Sequence, residues 1–217
     1  ISIQYSIENP TESYKNNVVG TLNVLEVARV LGIKKVVFSS TAAIYGSTSE
    51  PCLETDRPDP LNPYSVSKLA GENLMKMYND LYGIETVSLR YFNVYGPRQA
   101  YKGQYAPVIG IFQKQKFEGK PLTIIGDGNQ TRDFIHVADV AHANMMVAEK
   151  DIVGVFNVGS GTEYSVNQIA SLTNNPHGTT TMPSREGEAR RSISDNSKLK
   201  NIGWQPRIGL EAWIAKQ

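Results

Sequence analysis

The run Lys34-Lys35-Val36-Val37-Phe38-Ser39-Ser40 constrains the fold more than any other stretch of the chain. Its apolar residues follow one another without polar alternation, which suits a parallel strand covered on both faces and not the half-solvated strand of an antiparallel sheet. Thr86-Val87-Ser88-Leu89-Arg90-Tyr91, within residues 84–92, is a second run of the same kind. A helical pattern precedes each. In the first, Thr11 is the expected N-cap, Glu12 lies in the opening turn, Val18, Leu22, Leu25, Val27, Ala28 and Val30 form an apolar stripe, and Gly32 is the stop. The second runs from Pro63 to about Tyr82, with Gly83 as its stop. Helix and strand thus alternate through residues 1–93, the pattern of a Rossmann-like, doubly wound parallel α/β sheet. Ile1-Ser2-Ile3-Gln4 reads as a strand end or the loop after it, and no Gly-rich phosphate turn precedes it.

Beyond Asn93 the chain becomes loop-rich. Helices are expected at 108–117 and 138–149, short strands at 122–125 and 153–158, and a further helix capped by Ser165, while 174–183 is polar and without pattern. Composition narrows the functional classes. Among 217 residues, 22 Lys plus Arg stand against 21 Asp plus Glu, so a net charge of +1 leaves no electrostatic footprint for nucleic acid or an anionic membrane. The single Cys52 supports neither a disulfide scaffold nor a metal site. The lack of a long apolar run or a leader pattern gives the expectation of a cytoplasmic protein.

Of the eleven tyrosines, only Tyr64 has a lysine four residues on, Lys68, and both fall on one face at the start of the second helix. An ammonium about 5 Å from a phenolate stabilises it by roughly 3 kcal/mol at an effective dielectric near 20, or about two pKa units. A second nearby cation, such as an oxidised nicotinamide ring, would bring the phenol into the range of a general base. The alternative is an exposed Tyr–Lys pair on a helix surface. The hydroxyl-rich strand end Ser39-Ser40-Thr41 upstream favours the chemical reading.

Six motifs in order carry a resemblance: Asn17-x-x-Gly20-Thr21, Phe38-Ser39-Ser40-Thr41-x-x-Ile44-Tyr45-Gly46, Pro63-Tyr64-x-x-x-Lys68, Arg90-Tyr91-Phe92-Asn93-Val94-Tyr95-Gly96-Pro97, Thr131-Arg132-Asp133-Phe134-Ile135-His136-Val137-x-Asp139 and Arg185-x-Gly187-Glu188. Together they resemble the extended short-chain dehydrogenase/reductase family, and within it the UDP-hexose 4-epimerases. The resemblance implies an NAD-binding Rossmann domain over 1–93, with 138–160 returning to it, and a smaller nucleotide-sugar domain over 94–217. It also implies that the amino-terminal strands with the glycine fingerprint are missing from this chain, and that the protein is a homodimer paired through the helices near 11–31 and 64–82.

Position by position, the resemblance makes Tyr64 the acid/base at the sugar 4-hydroxyl, Lys68 its partner and a ligand of the nicotinamide ribose, and Thr41 the residue that orients the hydroxyl. Ser39 and Ser40 lie next to the cofactor, or serve as capping hydroxyls of a strand end. Asn17 faces the active site and Tyr91 is the aromatic near the nicotinamide. Asn93, Arg132 and Arg185 meet the diphosphate, Val108 contacts the nucleotide sugar, and Glu188 takes the uridine ribose. A small residue at Ser192 leaves room for an acetamido group, so both UDP-Glc/UDP-Gal and UDP-GlcNAc/UDP-GalNAc are expected substrates. Dehydratases of the family carry Asp-Glu directly after the threonine. This chain has Ala42-Ala43, which cannot transfer protons. The readings held beside this one are a hexuronate 4-epimerase, another nucleotide-sugar epimerase or dehydratase, and a non-catalytic NAD-binding regulator.

Overall fold

The computed structural model describes residues 2–103, 106–184 and 189–217. The described chain is helical from Ile3 onward. In α1 (Ile3–Glu8) the Ser2 hydroxyl accepts the Tyr5 N–H, and α2 (Pro10–Tyr14) follows with Pro10 in its first turn. Where a strand end or the loop after it was expected, residues 3 and 4 begin a helix, and Asn9 rather than Thr11 takes the cap position, because proline at the first helical position sacrifices no hydrogen bond. One π-helical turn, Lys15–Val19, leads into α3 (Gly20–Val30). The expected stripe divides here: Leu25 and Ala28 are buried, whereas Val27 and Val30 are 57% and 72% exposed.

Strand β1 (Lys35–Thr41) ends in a 3-10 turn, Ala42–Tyr45. Helix α4 (Pro63–Tyr82) matches its expected span because both ends are locally encoded. Asn62 and Ser65 form a reciprocal capping box, Pro63 occupies the first turn, and Gly83 closes the helix at φ 68°. Strand β2 (Glu85–Tyr91) pairs in parallel with β1. A side chain at Gly71 would bring its Cβ within 2.5 Å of the Phe38 ring, so glycine is what lets α4 lie close on β1.

The second half contributes β3 (Asn93–Tyr95), α5 (Val108–Phe117), β4 (Leu122–Ile125), β5 (Thr131–His136), α6 (Val137–Glu149) and β6 (Gly154–Val158). It continues with β7 (Glu163–Ser165), α7 (Val166–Thr173), β8 (Thr179–Met182), β9 (Arg191–Ser192), α8 (Ser197–Asn201) and α9 (Leu210–Ile214). Strand β6 pairs in parallel with β2, giving a sheet of order β1-β2-β6. Helices cover both faces. Val36 and Phe38 pack with Leu25, Ala28, Met75 and Tyr78, while Val37 packs on the opposite side with Val140, Ala143, Val147 and Trp204. Apart from its half-buried ends β2 is buried throughout, whereas β1, at the sheet edge, is mostly half-buried, which is less cover than its apolar run leads one to expect.

In a second sheet the first half of β5 lies between β7 and β9, and its second half beside β3. Strand β8, in the stretch read as patternless, pairs in parallel with β4. Its Thr179–Met182 side chains are all exposed, so no apolar periodicity announces it. Asp133 ties this region together from full burial. It accepts from the Ser160 N–H and hydroxyl at 2.7 Å each, the Gly161 N–H at 3.0 Å, and the Ser194 N–H and hydroxyl at 3.1 and 2.5 Å.

Candidate active site

A cavity of about 920 Å³ lies at the carboxyl ends of β1 and β2 and opens toward the second sheet. Open α/β sheets bind ligands at this end of their strands. Among its walls are Thr41, Tyr64, Tyr91, Asn93, Val108, Arg132 and Ser192, all expected from sequence, together with Ala42 and Ala43. Arg185 and Glu188 lie outside the described residues.

Tyr64 stands in the first turn of α4. Its backbone N–H donates to the buried Ser6 hydroxyl at 3.1 Å, and Ser6 in turn donates to Ile3 O at 2.6 Å, so α1 is fastened to the start of α4. The Tyr64 phenol and the Thr41 hydroxyl share a hydrogen bond. Thr41 Oγ1 also accepts the Ala43 N–H at 3.2 Å, which sets its rotamer against the 3-10 turn. Burial raises the Tyr64 pKa above that of a free phenol, and the Thr41 hydrogen bond pulls it part of the way down. The lowering of this phenol by Lys68 expected from the spacing is not among the influences on it. Instead the Lys68 ammonium lies over the Phe38 ring, 4.2 Å from its centroid. Burial brings Lys68 down to about 8, opposed by the field of Glu72. Among the described residues Lys68 makes no hydrogen bond and no ion pair, which leaves its three donors open, and it is not among the cavity walls.

The remaining expected residues divide. Asn17, in the π turn, donates to Ser67 Oγ at 2.9 Å, and Ser67 donates to Tyr64 O at 2.7 Å; Asn17 thus braces α4 and is not among the cavity walls. Ser40 is buried and donates to Glu72 Oε1 at 2.5 Å, the structural use of a strand-end hydroxyl. Ser39 Oγ pairs with the Tyr91 hydroxyl at 3.1 Å, and that hydroxyl donates to Asn144 Oδ1 at 2.9 Å. Asn93 Nδ2 donates to Asp133 O at 2.9 Å. Arg132 and Ser192 are register partners across β5 and β9, and Arg132 Nη1 donates to Thr131 O at 2.8 Å. Ser192 is buried.

Sequence reasoning missed two groups. Ser2, Ile3 and Gln4 line the cavity from α1, and no local signal marks them. The buried pair Arg90–Glu72 was legible in part: a charge inside a buried strand requires a counter-charge, and Glu72 lies one helical turn beyond Lys68.

A parallel sheet covered on both faces, with a hydrogen-bonded tyrosine and threonine and an adjacent lysine at its carboxyl edge, defines a Rossmann-type nucleotide-binding fold with acid/base equipment. The model of the NAD dependent epimerase/dehydratase family matches residues 1–159, and the chain belongs to that family. A putative UDP-glucose 4-epimerase from Methanocaldococcus jannaschii is 42% identical over 100% of this chain and 72% of its own length. The crystal structure of UDP-glucose 4-epimerase with UDP-glucose from Thermotoga maritima superposes with a TM-score of 0.95 at 38% identity, covering 98% of this chain and 71% of that one. A UDP-N-acetylglucosamine 4-epimerase from Methanobrevibacter ruminantium, in complex with UDP-N-acetylmuramic acid, gives a TM-score of 0.94 at 34% identity over 98% and 71%.

Proposed function

We propose that this protein inverts the C4 hydroxyl of UDP-hexoses, both UDP-Glc/UDP-Gal and UDP-GlcNAc/UDP-GalNAc, in an NAD-dependent reaction. The observation that carries the reading is the Tyr64–Thr41 hydrogen bond inside the cavity, with two methyl groups, Ala42 and Ala43, where proton-transferring side chains would be needed for elimination. Thr41 orients the sugar hydroxyl and Tyr64 takes its proton, returning it after the sugar has turned about its pyrophosphate linkage. The open donors of Lys68 and the Tyr91 and Ser39 hydroxyls suit the ribose and nicotinamide of NAD. NAD held there would supply a reversible hydride acceptor for C4. We assign Lys68 as the charged partner of the Tyr64 phenol, although its ammonium rests over the Phe38 ring and is not among the influences on that phenol.

At the other end Asn93, Arg132 and Arg185 receive the diphosphate, Glu188 the ribose, and Val108 the nucleoside. Arg132 is the one charged side chain among the described walls of the cavity, which supports a neutral C6 hydroxyl over a hexuronate carboxylate. The exposed Val27 and Val30 on α3 and Leu81 on α4 supply apolar surface for a homodimer. Among the described residues no helix is long and apolar enough to cross a membrane, and we assign the enzyme to the cytoplasm, where its substrates are dissolved. The test is product identity. Purified protein with NAD and UDP-glucose should yield UDP-galactose by NMR, and a 6-deoxy-4-keto product would refute the assignment.

A further inference from the structure

Arg90 is 4% exposed in β2, and Glu72 is 6% exposed on α4. The guanidinium donates twice to the carboxylate, Nε to Oε1 at 2.9 Å and Nη2 to Oε2 at 2.7 Å, and lies over the Tyr45 ring at 4.7 Å. Ser40 donates to the same carboxylate at 2.5 Å, and the Tyr45 hydroxyl donates to Asn157 Oδ1 on β6 at 2.7 Å. A buried ion pair seldom repays its desolvation with stability, since apolar residues of similar volume do as well. The location of this one points to the chemistry. Ser40 directly precedes Thr41, Arg90 directly precedes Tyr91, and Tyr64, Lys68 and Glu72 repeat at four-residue intervals along one face of α4.

We propose that Glu72 is a positioning residue: held by Ser40 and Arg90, its carboxylate registers Thr41 against Tyr64 and supplies the negative charge that keeps Lys68 an ammonium. The proposal rests on the reading of Lys68 as the charged partner of Tyr64. The ionisable groups around Lys68 are Tyr64 and Glu72 on its own helix, Arg90 from β2 behind Glu72, and Tyr45 beyond Arg90. From β1 comes the Phe38 ring, which does not ionise; Ser40 meets Glu72 and Asn17 meets Ser67 rather than Lys68. Glu72 is the one whose field opposes the desolvation of Lys68.

Two substitutions with opposite expected signs separate this role from a merely structural one. Glu72→Gln removes the charge and keeps the shape, whereas Arg90→Gln leaves the carboxylate without its neutralising partner. The titration of Lys68 is read without added nucleotide, by competitive acylation across pH with peptide mass spectrometry, and kcat is read with saturating NAD. The Lys68 midpoint should fall by about one pH unit in Glu72→Gln and rise by about as much in Arg90→Gln. In Glu72→Gln, kcat should drop about tenfold or more while KM for the UDP-sugar stays within about twofold. Midpoints that move together, or that do not move, overturn the proposal. If Glu72→Gln gives no cooperative melt, Glu72→Asp decides: the retained charge must leave the Lys68 midpoint in place while kcat falls, and a displaced midpoint or an unchanged kcat overturns it. The titration requires no sugar, so opposite shifts in a protein that fails to epimerise would sink the reaction assigned above and spare the counter-charge.

Discussion

Around Tyr64 the polar side chains are bonded to one another inside the fold, whereas the side chains of Arg132 and Asn93 bond main-chain carbonyls. At the first end the tyrosine bonds Thr41, Ser40 bonds Glu72, and Glu72 bonds Arg90, all at buried or half-buried positions. At the second, Arg132 bonds Thr131 O and Asn93 bonds Asp133 O. Nearby, Arg190 and Asp127 form a two-pronged pair at 2.6 and 2.9 Å with side chains 62% and 50% exposed. Proton transfer requires fixed geometry in a place that excludes water, while holding an anionic ligand requires forked donors that tolerate screening. The cavity joins two kinds of construction, and substitutions should separate them.

Tyr64→Phe should produce the largest effect, a loss of about 10³-fold in kcat with nucleotide-sugar affinity retained, measured by turnover beside calorimetry. A comparable loss of affinity would mean that the two ends are not separable. Asp133→Ala should follow, because it strands the donors of Ser160, Gly161 and Ser194 inside the second region. A cost of about 3–5 kcal/mol is expected, seen as a lower denaturant midpoint. Arg132→Ala should raise KM by roughly tenfold to a hundredfold at nearly constant kcat, the converse of Tyr64→Phe. Ser192→Tyr should remove turnover of the N-acetylated sugars by about tenfold or more and spare UDP-glucose. Equal losses on both substrates would misplace the pocket. The smallest effect belongs to Arg190→Ala, which should leave the thermal unfolding midpoint essentially unchanged, since its ion pair with Asp127 is exposed.

The two regions were also unequally legible. Helix α4 could be read from end to end because Asn62, Pro63, Ser65 and Gly83 act on their own neighbours. The strands with uninterrupted apolar runs were readable for the same reason, and so was the Tyr64/Lys68 spacing. Strands β3, β8 and β9 were not readable: they are two to four residues long and owe their pairing to β4 and β5 rather than to any pattern of their own. Asn17 was expected to face the active site, whereas it is outside the cavity walls and bonds Ser67, fifty residues away, a partner that no local pattern announces.

From its own local chemistry the sequence determined a wound α/β fold, the helix that carries Tyr64 and Lys68, and a pair of side chains, Ala42 and Ala43, that cannot transfer protons. Only the tertiary structure decided that burial raises the Tyr64 phenol, that Lys68 rests on Phe38, and that Ser6 fastens α1 beneath the site. Caps, periodicity and spacing act over a few residues and can be read along the chain. Desolvation and ion pairing depend on what the fold brings from far away, and that is settled only when the elements pack.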